Sequence, residues 1–360
     1  MIVSIGNHNF TDKADKVDKV DRLRYSNLDK LKALCAFFIV CNHVPFPGVA
    51  GRYIDSIFRM AVPVFLMITG YFFKPSSSRK QSIKLLKLLL IGNGIFLIWK
   101  CMLSLLKGQL IVWLNETFTI KNLIKFLLFN ASPFHYHLWY LGAILYVVVT
   151  ENLLRRIFGL QKCRKILYFC TPFLLIGYLL LGKYSCISFH RDFPVYLFRN
   201  WLFIGIPYFS IGLLFKEKGD VIRQKLYSKP KLVTLIVLTI ITSFMERRII
   251  VSIDPKPVGD HYLSTTFLAC FVFLFFLYFV GRKENMFSKI GKEDSTWIYI
   301  LHPIFITVLD EIVEKIGVED IYSYIGAFVV FSVTLIAVKI LNKIINVIKG
   351  RSKNARNESA

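Results

Sequence analysis

Long apolar blocks separated by short basic stretches recur along the whole chain. Each block holds roughly 18 to 25 residues, the length that crosses a hydrocarbon layer about 30 Å thick as an α-helix. The continuous apolar runs differ from the alternating pattern of a membrane β-barrel. The pattern therefore predicts an all-α polytopic membrane protein with about ten transmembrane helices. The blocks lie at about 28–45, 57–74, 84–106, 135–154, 164–182, 199–216, 231–247, 261–280, 295–313 and 322–346.

The remaining segments divide the chain into a membrane domain and two tails. Residues 1–27 are predicted to be a polar cytoplasmic tail, and they lack the apolar region of a cleavable signal. The membrane domain covers 28–347, and 348–360 form a basic tail expected to be disordered. Residues 119–130 are short and amphipathic, so we expect them to lie flat in the membrane interface. Gly92-Asn93-Gly94 is expected to interrupt the third block.

The charge distribution predicts how the helices are oriented. The chain carries a net charge of +23, yet only 19% of its residues are charged, below the roughly 25% of an average soluble domain. With the N-terminus inside, 31 lysines and arginines lie in inside segments and 12 in outside segments. This bias places both termini in the cytoplasm and favours an even number of spans. The basic residues accompany no nucleic-acid-binding module, so no nucleic-acid partner is expected.

The cysteines and the paired histidines give no indication of a metal or redox cofactor. Most of the seven cysteines lie inside apolar blocks, without a CxxC pair, and are interpreted as buried hydrophobic residues. His135 and His137 would point away from each other on a helix, which argues against a zinc pair. We therefore expect no metal site.

Ionisable residues inside the first block are the first candidates for chemistry, because charges are costly in hydrocarbon. Lys32 and His43 are eleven residues apart, so a helix places them on nearly one face, about 16 Å apart along its axis. A neutral imidazole can accept and return a proton near pH 7. A lysine that reaches the interface and a histidine bonded to a neighbouring helix explain the spacing equally well.

Four further stretches combine apolar residues with polar or charged ones. Arg59 and Arg199 each stand at the start of such a stretch, and His137 and His302 lie within two others. Trp139 is also expected as an anchor at the membrane interface. The stretches are FRMAVPVFLMITGYFF (58–73), HYHLWYLGAILYVVV (135–149), RNWLFIGIPYFSIGLLF (199–215) and STWIYILHPIF (295–305).

Taken in this order, the motifs resemble those of the acyltransferase-3 family of bacterial membrane O-acyltransferases. The first-helix motif of that family is an arginine, ten residues and a histidine, and here Lys32 and His43 stand at those positions. Lysine keeps the charge of arginine but lacks its bidentate fork. Lys84 and Lys87 correspond to a basic pair of the family. The stretches VPVFLMITGYFF, HLWYL, FIGIPYFSIGLLF and YILHPIF are similar to its other motifs.

One family feature is missing from the chain. Some members carry a glutamate just after the tryptophan motif, where this chain has Ile144 and Leu145. In this respect it is more similar to the stand-alone sugar-modifying members of the family than to those with an attached extracytoplasmic domain.

The resemblance implies an O-acyltransferase in the bacterial cytoplasmic (inner) membrane. Such an enzyme moves an acyl group, acetyl in the first instance, from the co-substrate acyl-CoA to a hydroxyl of a cell-surface glycan or lipid-linked sugar, with no bound cofactor. The expected catalytic residues are His43, Lys32 and Arg59, with His43 as the general base. The expected substrate-binding residues are Lys84, Lys87, His137, Trp139, Arg199 and His302.

Two other classes of function remain open from the sequence. A transporter or flippase for a lipid-linked or anionic substrate also uses intramembrane basic residues and broken helices. Such transporters often contain an inverted repeat, and we find none in the sequence. A regulatory membrane module without catalysis is the third alternative, because Lys32 departs from the family arginine. The acceptor and the oligomeric state stay open.

Overall fold

The computed structural model describes residues 8–281 and 283–358, with side chains described for 26–281 and 283–347. Helices account for nearly all of this part of the chain, and no strand occurs in it. The α-helices are α1 (His8–His43), α2 (Gly48–Phe58), α3 (Ala61–Phe72), α4 (Ser78–Leu106), α5 (Leu110–Thr117), α6 (Ile120–Phe129), α7 (Trp139–Leu181), α8 (Ser185–Phe189), α9 (Ile206–Glu217), α10 (Gly219–Leu226), α11 (Lys229–Ile253), α12 (Leu263–Phe279), α13 (Met286–Lys289), α14 (Ser295–Ile316) and α15 (Glu319–Glu358). Short 3₁₀ turns cover Pro75–Ser77, Tyr136–Leu138 and Val195–Leu197, and π-helical turns cover Trp201–Gly205 and Ile290–Asp294.

The all-helical architecture predicted from the sequence is confirmed for the described residues. Within the described residues, five helical stretches are long and apolar enough to cross a membrane. The count of ten spans and the cytoplasmic position of both termini stay predictions, as do the tails at 1–27 and 348–360. The five stretches are Gly48–Phe72, Pro75–Leu106, Tyr136–Leu181, Met286–Ile316 and Glu319–Val347.

Helix α7 contains both the fourth and the fifth predicted spans. The backbone leaves the helical conformation at Gly159, whose φ of +75° favours glycine. On a straight helix Glu151 and Arg164 would lie about 20 Å apart. Their side chains instead form an ion pair of 3.1 Å. The chain therefore reverses direction at Gly159, close to the loop expected between the two spans.

The predicted interruption of the third span is wrong, because α4 runs unbroken from Ser78 to Leu106. Asn93 satisfies its amide within the helix by donating a 2.7 Å hydrogen bond to the carbonyl of Leu89. Gly92 is buried where Leu138 approaches α4. These residues thus serve helix packing.

Helices α3 and α9 cross in the core at two glycines. A Cβ atom on Gly70 would lie 2.0 Å from the carbonyl oxygen of Phe209, and one on Gly212 would lie 2.0 Å from that of Met67. Small residues allow helix backbones to approach closely inside a membrane. This contact positions α3, which carries part of the candidate site.

We predict that Gly70→Ala separates α3 from α9 and lowers the apparent melting temperature of the protein in detergent. The added methyl group meets backbone, which cannot move aside as a side chain would. The matched control is Gly94→Ala on α4, where the new Cβ meets no atom within 4 Å and alanine favours the helix. Equal melting temperatures for the two variants would contradict the crossing described here.

Candidate functional site

Helices α1, α3, α7 and α14 line two cavities that follow one another along the bundle, and α4 adds to the wall of the second. The first, here called the histidine cavity, has a volume of about 170 Å³, and its lining includes His43, Arg59, His137, Trp139, Arg199 and Asp260. The second, the lysine cavity, has a volume of about 300 Å³, and its lining includes Lys32, Thr69, Gln81, Lys84, Lys292 and Thr296. Tyr299 lines both cavities.

His43 is the last residue of α1 and faces the histidine cavity. Its Nδ1 lies 2.8 Å from the hydroxyl of Tyr136, within hydrogen-bond distance. The centre of its ring is 5.0 Å from that of His302. These contacts hold the imidazole beside the cavity, and its Nε2 is the remaining polar atom.

His302 is fully buried on α14, behind His43. Its Nδ1 lies 3.0 Å from the carbonyl oxygen of Ile298. Because a carbonyl can only accept a hydrogen bond, Nδ1 carries the proton and Nε2 carries a lone pair. That Nε2 is buried and has no hydrogen-bond partner among the described residues. His302 is therefore an available proton acceptor next to His43.

The expectation that His135 and His137 point apart is wrong. His135 is extended, with a φ of −158°, and Tyr136–Leu138 form a 3₁₀ turn ahead of α7. The two Nδ1 atoms consequently lie 2.6 Å apart. The Nε2 of His137 contacts the carbonyl of Ile300 at 3.2 Å and so carries its proton, which leaves His135 as the donor between the two rings.

Charged side chains pair across the wall of the histidine cavity. Arg59 contacts Asp260 at 2.8 Å and Asp55 at 2.9 Å. Arg199 contacts the other oxygen of Asp260 at 3.4 Å. Burial favours a neutral Asp260, but the Arg199 and Arg59 guanidiniums outweigh it and hold the pKa of that carboxyl well below its usual range. Asp260 is thus an anion bound between two cations.

Two aromatic residues also contact Arg199. Its guanidinium lies 5.9 Å from the ring centre of Tyr136 and 5.8 Å from that of Trp139, which are cation–π distances. The next residue, Asn200, accepts hydrogen bonds from the backbone amides of Leu202 and Phe203. This cap fixes the start of the π-helical turn and thereby the position of Arg199.

The loop between α11 and α12 contributes site residues that the sequence did not indicate. The backbone amides of Asp260 and His261 both donate to the hydroxyl of Tyr178, at 2.9 and 3.2 Å. Lys183 holds the loop by donating to the carbonyl of Pro257 at 3.2 Å. His261 lines the histidine cavity, and its buried Nδ1 has no hydrogen-bond partner among the described residues. A short polar loop has no periodicity from which such contacts could be predicted.

The lysine cavity lies toward the other end of the bundle. Lys32 on α1 forms a 2.8 Å ion pair with Asp29. Lys84 on α4 and Lys292 in the second π-helical turn also line this cavity. Lys87 is exposed and lies outside the lining, although the sequence grouped it with Lys84.

The structure thus brings together most of the residues singled out from the sequence, in two groups. His43, Arg59, His137, Trp139 and Arg199 line the histidine cavity, with His302 behind His43, and Lys32 and Lys84 line the lysine cavity.

A candidate metal-ligand group lies elsewhere. Among the described residues, the group whose ligand atoms all lie within 4.8 Å of one another consists of Cys186, Asp192 and Asp254. None of the three lines either cavity.

We predict that Asp260→Asn destabilises the protein, because it leaves Arg199 without its ion pair and Arg59 with Asp55 alone. The loss of these charged hydrogen bonds should lower the free energy of unfolding by about 2 kcal/mol, which appears as a lower melting temperature in detergent. Glu314→Gln, on the exposed surface of α14, is the control. A melting temperature for Asp260→Asn equal to that of the control would show that the ion network does not stabilise the fold.

Comparisons with known proteins bear on the identity of the chain. It is 26% identical over 321 residues to an amino-acid racemase of Enterococcus faecalis, an overlap of 82% of this chain and 43% of that protein. It is 24% identical over 323 residues to a serine/alanine racemase of Enterococcus gallinarum, with the same two shares. The chain therefore spans less than half the length of these relatives. No solved structure matches it.

The model of a family described as an acyltransferase domain matches residues 25–341. This range includes every residue that lines the two cavities, and the match agrees with the resemblance found in the motifs. The chain belongs to the acyltransferase-3 family of membrane acyltransferases.

Proposed function

We propose that this protein is an O-acyltransferase that moves an acyl group, acetyl in the first instance, from acyl-CoA to a hydroxyl of a cell-surface glycan or lipid-linked sugar. The observation that carries the proposal is the pair of cavities, one lined by lysines and one by histidines and arginines, which meet at Tyr299. The bacterial cytoplasmic membrane is the proposed location, with the lysine cavity facing the cytoplasm.

The lysine cavity is suited to the donor. CoA carries phosphate groups, and Lys32, Lys84 and Lys292 offer positive charge at the cavity wall. Lys32 and His43 lie about 16 Å apart along α1. An acyl-CoA molecule whose phosphates contact the lysines would therefore extend its thioester arm along α1 toward His43.

The histidine cavity is suited to the acceptor and to proton transfer. The hydroxyl oxygen of the acceptor attacks the thioester carbon, and His43 takes the proton of that hydroxyl. The carbon–sulfur bond then breaks, and the proton passes from His43 to the sulfur of CoA. Arg59 and Arg199 lie where they can stabilise the negative charge that develops on the carbonyl oxygen.

A second candidate function is the transport of a small polar solute. Two cavities separated by a packed layer resemble the two access routes of a transporter, and both relatives described above are named for reactions on amino acids. Uptake of labelled serine or alanine into proteoliposomes without any acyl donor would favour this alternative. Label transfer from acyl-CoA to glycan without such uptake would favour the acyltransferase.

We predict that His43→Ala lowers acyl transfer by about 10²- to 10⁴-fold, the usual contribution of a general base. The measurement is transfer of label from acetyl-CoA to cell-envelope glycans by the purified protein in nanodiscs. His190→Asn is the control, because His190 is exposed and has a positive φ that asparagine tolerates. A His43→Ala variant that inserts normally and keeps full activity would refute the assignment of the base.

We predict that Lys84→Gln and Lys87→Gln differ, although the two residues are one helical turn apart. Lys84 lines the lysine cavity and Lys87 does not. An ion pair with a phosphate at an exposed site contributes up to about 1 kcal/mol, so Lys84→Gln should raise the KM for acyl-CoA by up to about fivefold and leave kcat and the acceptor KM unchanged. Equal KM values for the two variants would contradict the donor site.

A further inference from the structure

The two cavities are separated by one layer of aromatic side chains. On α7, Trp139 lines the histidine cavity and the next residue, Tyr140, lines the lysine cavity. On α3, Val62 lines the histidine cavity, and Phe65, about one turn further along, lines the lysine cavity. Because Tyr299 lines both cavities, its side chain lies at the boundary between them.

The layer is closely packed. The ring of Tyr140 makes an edge contact with that of Tyr299, with centres 5.1 Å apart, and lies 6.1 Å from that of Phe65. Tyr140 and Tyr299 are both buried. The hydroxyl of Tyr299 donates a hydrogen bond to the backbone carbonyl of His137, which fixes the ring across the bundle.

The backbone of α14 is irregular on both sides of Tyr299. A π-helical turn, Ile290–Asp294, precedes α14, and Pro303 lies four residues after Tyr299. Proline has no amide hydrogen, so the carbonyl of Tyr299 loses the donor that a regular helix would provide. Fewer backbone hydrogen bonds thus hold this segment than hold an uninterrupted helix, which makes local movement of the tyrosine less costly.

We propose that Tyr299 is the divider between the donor and acceptor sites and that it limits transfer to short acyl groups. This proposal rests on the proposed function and deepens it by assigning the residue that selects the acyl chain. The thioester carbon bound from the lysine cavity has to meet a hydroxyl bound in the histidine cavity, and the ring of Tyr299 stands between the two. A two-carbon acyl group needs a small displacement of the ring, whereas a long chain needs the space that the ring occupies.

The first experiment compares acyl chains. The native protein, Tyr299→Phe and Tyr299→Ala are supplied with acetyl-, butyryl- or octanoyl-CoA, and transfer to glycan is measured. We expect Tyr299→Ala to raise the ratio of octanoyl to acetyl transfer at least tenfold and Tyr299→Phe, which keeps the ring, to leave it within about twofold of native. Tyr299→Leu keeps part of the side-chain volume and replaces the alanine variant if that one does not fold.

The control is Tyr71→Ala on α3. Tyr71 is also buried, but it lines neither cavity. Its removal creates a similar void in the core, so a change in chain preference caused only by loosened packing would occur here as well. An unchanged octanoyl-to-acetyl ratio in a folded Tyr299→Ala variant overturns the assignment of Tyr299 as the residue that selects the acyl chain.

The second experiment does not depend on catalysis. Ile39 lines the histidine cavity. The Ile39→Cys substitution is made in a variant of the protein whose seven native cysteines have been replaced by serine or alanine. A membrane-impermeant thiol reagent is then added to one side of sealed vesicles. The side is the one from which the reagent also labels a Lys87→Cys variant, because Lys87 is exposed. We expect Tyr299→Ala to accelerate labelling of the cysteine at position 39 at least tenfold, and Tyr71→Ala not to do so.

The two experiments separate failure of the divider from failure of the proposed function. Labelling that is independent of Tyr299 overturns the divider, even if the protein transfers acyl groups. Labelling that depends on Tyr299, in a native protein that transfers no acyl group, supports the divider and contradicts the acyltransferase proposal.

Discussion

Two guanidinium groups face one small cavity, and the structure depends on the carboxylate that lies between them. Without Asp260, the guanidiniums of Arg59 and Arg199 would line the same cavity with no carboxylate between them and would repel each other. The same carboxylate belongs to the loop between α11 and α12, so the ion network also attaches that loop to α2 and to the segment before α9. The pairing of these charges therefore helps to position His261 at the cavity that the end of α1 also lines.

The helical architecture and most of the site could be predicted from the sequence. An apolar block of about 20 residues has one main solution in a membrane, because every backbone polar group must be satisfied within the segment. Once a helix is accepted, the eleven-residue spacing of Lys32 and His43 determines their relation along its axis. Motif order then indicated Arg59 and Arg199, which the structure places in the same cavity as His43.

The remaining features depend on contacts between distant segments. Asp260 and His261 lie in a polar loop, and their positions follow from hydrogen bonds to Tyr178 on another helix. The close approach of His135 and His137 does not follow from a helical pattern, because the chain is extended at His135 and then forms a 3₁₀ turn. The glycines near position 93 predict a break in the helix, yet a glycine can equally provide room for a neighbouring side chain. Composition alone does not distinguish these two uses.

Some segments of the chain line both cavities and others line only one, and this difference affects how the two sites can change independently among related proteins. Helices α1, α3, α7 and α14 line both cavities, so a displacement of any one of them changes both sites at once. The loop between α11 and α12 contributes Asp260 and His261 to the histidine cavity and nothing to the lysine cavity. Exchange of this short loop between relatives is therefore a route to altered recognition at one end of the bundle with the other end preserved.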